Sequence, residues 1–226
     1  MALARFKDLC IDAVDADRLG QFWATALGLG YEPAEGGGLR LTGPTPQHTV
    51  WVNPVPEPRT VKQRVHLDLH TESIADLERL GATVLGHATG GPWVVMADPE
   101  GGELCAFVRD QRYDYRLYEV VVDALDEHGM AQWWADVLGG NFGHDDDHKA
   151  YCWVDAVPGA PFENLVFVSV PEPKKVKNRI HWDVETDDVQ ALVDAGARIL
   201  RGRGDGGIGW DVLADPEGNE FCAFTR

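Results

Sequence analysis

The chain has 226 residues and a formal net charge of −17, with 37 acidic against 20 basic side chains. That length has room for two compact cores. The acidic balance argues against a nucleic-acid partner, because a phosphate backbone needs a basic face. No apolar run approaches the length that spans a bilayer, so no membrane partner is expected, and the opening MALARFKDLC carries no secretory pattern, which leaves the cytoplasm as the expected location.

In chain order, residues 6–13 read as a strand. Leu19, Phe22, Trp23, Ala26 and Leu27 fall at helical spacing, with Asp15 or Asp17 as N-cap and Gly28 as the stop. Residues 31–38 read as a loop. Strands follow at 39–42, 48–53 and 64–70. Ser73 caps a second helix that stops at Gly81. Strands at 83–87, 92–97 and 103–109 close the first half, the last two joined by the turn DPEGGE. The order then repeats: a strand at 117–123, a helix at 127–138, strands around Cys152 and Val166, a strand at 179–185, a helix at 188–195 and a closing hairpin.

The repeat is visible residue by residue. WVVMADPEGGELCAFVR, starting at Trp93, and WDVLADPEGNEFCAFTR, starting at Trp210, agree at 12 of 17 positions at an offset of 117. VPEPRTVKQRVHLDL from Val55 and VPEPKKVKNRIHWDV from Val170 agree at 9 of 15 at an offset of 115. Asp12 matches Asp123, and Trp23 matches Trp134. The chain is therefore one unit of roughly a hundred residues written twice: copy one at 1–110, a polar linker at 111–116 and copy two at 117–226.

The cues DADRLGQFWATALG, RVHLDL with RIHWDV, and DPEGGELCAF with DPEGNEFCAF resemble the vicinal oxygen chelate superfamily, which includes glyoxalases, extradiol dioxygenases and bleomycin resistance proteins. They look most like its glyoxalase-like subgroup. The resemblance covers nearly the whole chain, twice. It implies an α+β fold, a tandem pair of glyoxalase-like domains, each of two βαβββ units that form a cup-shaped sheet with helices outside.

Metal-using members of that superfamily hold an ion with residues of the first, fifth and eighth strands. Carried over by position, these are Asp8, His66 and Cys105 in copy one, and Glu119, His181 and Cys222 in copy two. Carboxylate, imidazole and thiolate are all zinc donors, and a thiolate shifts a site toward softer metals. Asp68 and Asp183 lie two residues after each histidine and share its face of a strand, whereas Glu103 and Glu220 lie two residues before each cysteine. The competing reading is that His-x-Asp and Cys-Ala-Phe are packing elements.

Arg64 and Arg179, two residues before the histidines, are candidates for holding an anionic substrate, or else strand-edge arginines paired with a carboxylate. Trp51 and Trp153 are candidates for lining an apolar cup that suits a flat ligand. Glu119 and Glu220 are the candidate proton-moving groups. Cys10, Cys105, Cys152 and Cys222 form no C-x-x-C pair and are expected free. The insert HDDDHKA at 144–150 reads as a solvated loop before it reads as a cation site. The glycine-rich run at 201–209 reads as a flexible loop, a candidate lid.

Two functions remain open. One is a glyoxalase- or dioxygenase-type enzyme with one divalent metal (zinc, nickel, manganese or iron). The other is a metal-free cup that binds or sequesters a small molecule. Either form would work as a monomer, the second copy serving as an internal partner, or as a homodimer.

Overall fold

A computed structural model gives the fold for residues 2–87, 91–145 and 150–226. Its elements form four βαβββ units. The first is β1 (Arg5–Ala13), α1 (Ala16–Leu27), β2 (Gly30–Pro33), β3 (Leu39–Thr42) and β4 (Val50–Pro54). The second is β5 (Val65–Thr71), α2 (Ile74–Leu80), β6 (Thr83–His87), β7 (Trp93–Ala97) and β8 (Glu103–Val108). The third is β9 (Leu117–Ala124), α3 (Glu127–Leu138), β10 (Asn141–His144), β11 (Tyr151–Asp155) and β12 (Asn164–Ser169). The fourth is β13 (Ile180–Thr186), α4 (Val189–Asp194), β14 (Arg198–Arg201), β15 (Asp211–Ala214) and β16 (Glu220–Thr225).

The local signals set most of these boundaries. The Asp15, Ser73 and Asp126 side chains accept from backbone N–H groups of the first helical turn, and Gly28, Gly81 and Gly139 end their helices in the left-handed region. The region expected as loop at 31–38 differs. Residues 30–33 pair antiparallel with β3, Gly30 opposite Thr42 and Pro33 opposite Leu39. All four are exposed, so this edge strand carries no apolar alternation to betray it.

Two eight-stranded sheets arise among the described residues. One runs β14-β15-β16-β13-β1-β4-β3-β2, the other β10-β11-β12-β9-β5-β8-β7-β6. The first therefore joins unit one to unit four, and the second joins unit two to unit three. The central seams are the antiparallel pairs β1–β13 and β5–β9. The repeat boundary and the sheet boundary are thus different divisions of the chain: each sheet takes half of each sequence copy. The sheet holding β1 and β13 is called the first cup below, the other the second.

The most repeated motif ties the two cups together. In the 98–102 turn, Asp98 Oδ1 accepts from the Glu100 and Gly102 amides at 2.8 Å each, and Gly101 takes a φ of 82°. The Glu100 carboxylate then reaches the other sheet, accepting from Val14 N at 3.0 Å and Asp15 N at 2.7 Å. The copy-two turn does the same, Glu217 accepting from Leu125 N at 2.8 Å and Asp126 N at 2.7 Å. These acceptors satisfy the amides that lead into α1 and α3.

The apolar faces of both sheets and the helices share one core. Trp23 and Trp134 are fully buried. Trp134, on α3, meets Trp182 of β13 at 4.7 Å and Phe221 of β16 at 5.1 Å between ring centroids. So a helix of unit three packs behind the first cup. No helix is long and apolar enough to cross a membrane among the described residues.

Candidate functional site

On β1, β5, β9 and β13, period-two alternation sends one set of side chains to the core and the other to the open face of a cup. Leu9, Ile11, Trp182 and Val184 are core residues, so Asp8, Cys10, His181 and Asp183 share the opposite face. Pairing sets Asp8 opposite Asp183 and Cys10 opposite His181, with Asp183 beside Cys222 on the other flank. In the second cup Glu119 is opposite Asp68, and Asp68 is beside Cys105. The expected donors are therefore regrouped. Asp8 belongs with His181 and Cys222, and Glu119 belongs with His66 and Cys105, because each seam joins strands of different copies.

Each cup converges an imidazole, a carboxylate and a thiol. His66 Nε2 stands 3.3 Å from Asp68 Oδ1 and 3.6 Å from Cys105 Sγ. His181 Nε2 stands 3.5 Å from Asp183 Oδ1 and 3.6 Å from Cys222 Sγ. Cys10 Sγ adds a second thiol to the first cup, 3.6 Å from Asp183 Oδ2. A tetrahedral zinc site, with Zn–S about 2.3 Å and Zn–N or Zn–O about 2.0–2.1 Å, would separate S from N by about 3.6 Å and N from O by about 3.3–3.4 Å. The donor set His66, Asp68 and Cys105 fits such an ion, its atoms lying within 4.8 Å of one another; in the first cup the residues that gather this closely are His181, Asp183 and Cys10, so Cys10 takes the place expected of Cys222. The Asp68 and Asp183 Oδ1 atoms are buried and accept no hydrogen bond among the described residues, as is expected of donors that point at a common centre.

Burial dominates the electrostatics. It pushes the Cys105 and Cys222 thiols well up, with Asp68 and Asp183 adding to the effect, so without an ion both are protonated. It lowers the His181 imidazole. Asp183 is raised to about 8, by burial first and by the neighbouring Asp8 second. Glu119 is raised to about 7, again by burial first, against the stabilising bond from Asn164.

The cups part company at the carboxylate of the leading strand. Asp8 accepts from Lys7 Nζ at 2.5 Å and from Trp51 Nε1 at 3.0 Å. Glu119 accepts from Asn164 Nδ2 at 2.6 Å. A bulge explains the difference. The register slips between Phe6 and Asp8 in the first cup, and opposite the Asp68–Leu69 step in the second, leaving Lys7 and Tyr118 as the extra residues. A bulge re-aims its side chain, here onto the cup face. Lys7 lies over the Phe224 ring at 4.2 Å. Tyr118 packs on Phe107 at 5.1 Å and His70 at 4.5 Å. With Trp93 on Phe107 at 5.6 Å and Tyr113 on His70 at 4.1 Å, these rings form an aromatic wall in the second cup. Lys7, Tyr118, Cys10 and Asn164 carry no sequence signal of their own, because bulges and cross-strand neighbours exist only once register is set.

The other candidates fall elsewhere. Glu220 shares its strand with Cys222, but Lys174 Nζ at 2.6 Å and Asn178 N at 3.1 Å occupy its carboxylate. Arg64 donates to the Glu172 carbonyl at 2.7 Å and the Asp123 carbonyl at 2.9 Å. Arg179 donates to the Glu57 carbonyl at 2.7 Å and pairs with Glu100 at 3.2 Å. Each arginine thus clasps the loop of the other copy. Trp51 commits its indole N–H to Asp8. Trp153 donates to Asp155 at 3.4 Å and sits opposite Val166 of the second cup. The glycine-rich loop folds on itself, Arg201 donating to the Asp205 carbonyl, on the hairpin at the outer edge of its sheet. Of the 144–150 insert, residues 146–149 lie outside the described residues.

The glyoxalase-like domain family matches residues 8–107 and again 119–224. No curated protein matches the sequence. Among solved structures, glyoxalase I from Zea mays superposes with a TM-score of 0.68 at 16% identity, covering 98% of this chain and 92% of its own. The cppA protein from Streptococcus pneumoniae TIGR4 superposes with a TM-score of 0.54 at 10% identity, covering 100% of both chains. At such identities the likeness concerns the fold.

Proposed function

We propose, from the premise that this chain belongs to the glyoxalase-like domain family of the vicinal oxygen chelate superfamily, that its second cup performs metal-assisted lyase, isomerase or dioxygenase chemistry on a small organic molecule. The observation that carries this reading is the convergence of His66, Asp68 and Cys105 at the spacings of a tetrahedral ion, with Glu119 across the seam from Asp68.

Those three residues would hold a zinc-class ion, since a thiolate selects the softer end of the divalent series. When bound, the ion supplies Lewis acidity toward a substrate with two neighbouring oxygens. Glu119 is the group that moves a proton. It is buried enough to sit near neutrality, so both of its forms are populated at working pH. Asn164 fixes one carboxylate oxygen and so sets its direction. Phe107, Tyr118 and His70 supply a flat wall for the apolar part of the substrate. We assign the first cup a supporting role, because Lys7 already neutralises the equivalent carboxylate and Trp51 donates to it.

A second reading, a metal-free cup that binds a small molecule, draws support from the thiols, which burial keeps protonated. Metal content separates the two. Protein purified without chelator or affinity-tag metal, then offered zinc, nickel, manganese or iron(II), is expected to hold near-stoichiometric ion in the second cup. His66→Ala should empty that cup. Glu119→Gln should keep the ion and lose about 10²–10⁴-fold in turnover. Protein that takes up no ion under any of these conditions overturns the metalloenzyme reading in favour of the binding cup.

A further inference from the structure

A cavity of about 500 Å³ opens between the 55–64 loop that leads from β4 to β5 and the 170–179 loop that leads from β12 to β13. It lies on the internal two-fold of the repeat, since Val61 and Val176, Lys62 and Lys177, and Arg64 and Arg179 line it as equivalent pairs. Its volume is in the range of small-ligand sites.

Its charge runs against the rest of the molecule. The chain has 20 basic and 37 acidic residues, yet the cavity wall carries six basic side chains and four carboxylates. Two of those carboxylates, Asp12 and Asp123, are buried and already met by Lys177 and Lys62. Arg179 is matched by Glu100 at 3.2 Å. Its equivalent, Arg64, has no carboxylate within ion-pair distance among the described residues. Its guanidinium is held in place by two backbone carbonyls, a neutral clasp that orients the charge without cancelling it. Lys175, exposed on the facing loop, likewise has no ion pair among the described residues. Copy one has Thr60 at that position, so the second unmatched cation belongs to one copy only. Arg59 is matched by Glu103 at 3.1 Å. The other two wall carboxylates, Glu57 and Glu172, are on exposed loop residues and screened by solvent, so the unmatched charge held in place within the wall is the half-buried Arg64 guanidinium.

We propose that this junction cavity binds a small organic anion, with Arg64 and Lys175 as its charge partners and Val61 and Val176 against its apolar part. The proposal does not depend on an ion in either cup. The aliphatic stems of the surrounding lysines and arginines add apolar wall, so a carboxylate or phosphate on a short carbon frame is the chemistry that fits.

The test is calorimetric titration of the whole chain with succinate and, separately, with inorganic phosphate. Saturable binding of either probe is expected, weakening as salt rises. Lys175→Thr, which installs the residue copy one already carries, should weaken binding about two- to fivefold. Arg198→Gln, on the exposed edge strand β14, should leave it unchanged. Stronger binding of succinate assigns a carboxylate ligand, and stronger binding of phosphate assigns a phosphate ester. Absence of saturable binding by both probes overturns the proposal, as does equal binding by wild type and Lys175→Thr. Running the same titration on His66→Ala, where binding should persist, keeps this outcome separate from that of the metal reading.

Discussion

In the first cup the bulge residue is Lys7, and the carboxylate beside it is clasped from two sides. In the second the bulge residue is Tyr118, and the carboxylate beside it has one amide partner. The strands, the His–Asp–Cys convergence and the bulge itself are common to both cups. What differs is a handful of neighbours: Lys7 for Tyr118, Cys10 for Val121, Trp51 for Val166. One cup is internally neutralised and carries an extra thiol. Both stack a tryptophan on a phenylalanine, but the other adds Tyr118, His70 and Tyr113 to that wall and leaves Glu119 raised to about 7. Duplicating a fold supplies two equivalent frames, and small changes on the open face can then divide the labour, since that face carries none of the core's packing.

The largest expected effect breaks both cups at once. Trp134→Ala removes a fully buried indole that packs behind the first cup from a helix of unit three, and should cost about 3–5 kcal/mol in urea unfolding. A loss confined to one of two separable transitions would show that the cups are less coupled than their shared core indicates.

Next comes the pH dependence of the second cup in ion-free protein. Glu119 is raised from 4.5 to about 7 on folding, so the folded state binds the extra proton. Its contribution to stability is complete below about pH 4.5 and is lost as pH rises through 7, on the order of 3 kcal/mol in all. Glu119→Gln should flatten that part of the stability–pH curve. An unchanged slope between pH 4.5 and 7 would mean that the carboxylate is better hydrated than its burial indicates.

A smaller effect sharpens the contrast from the other side. Lys7→Met leaves buried Asp8 with Trp51 as its remaining hydrogen-bond partner among the described residues and should lower stability by about 1–3 kcal/mol at neutral pH. No change in the unfolding midpoint would remove the claim that Lys7 neutralises the first cup. The smallest effect is that of Cys10→Val, which copies Val121 of the second cup. Near-conserved volume predicts a cost under about 1.5 kcal/mol, and zinc uptake by the second cup should not move. A fall there would contradict the independence of the two donor sets.

Much of this was legible in the residues. The caps at Asp15 and Ser73 and the stops at Gly28 and Gly81 mark helices in one local window. The repeated DPEG turn marks a hairpin, although its glutamate's reach into the other sheet is a tertiary fact. Strand alternation placed His66 and Asp68 on one face, and His181 and Asp183 on another. The edge strands β2, β10 and β14 have no apolar alternation to read, since β2 and β14 are exposed throughout and β10 is at most half-buried.

The sequence by itself determined the duplication, the βαβββ order and the donor types on each strand, because these follow from local periodicity and identity between copies. Only the tertiary structure decided which donors meet. Each unit leaves the outer edge of its leading strand unpaired, and that edge must find a partner to satisfy its amides and carbonyls. Either copy's edge offers nearly the same residues, so local sequence does not rank the choices. Long-range packing does, through α3 behind the first cup and the loops clasped by Arg64 and Arg179. It joins β1 to β13 and β5 to β9, and so places Asp8 with His181 and Glu119 with His66.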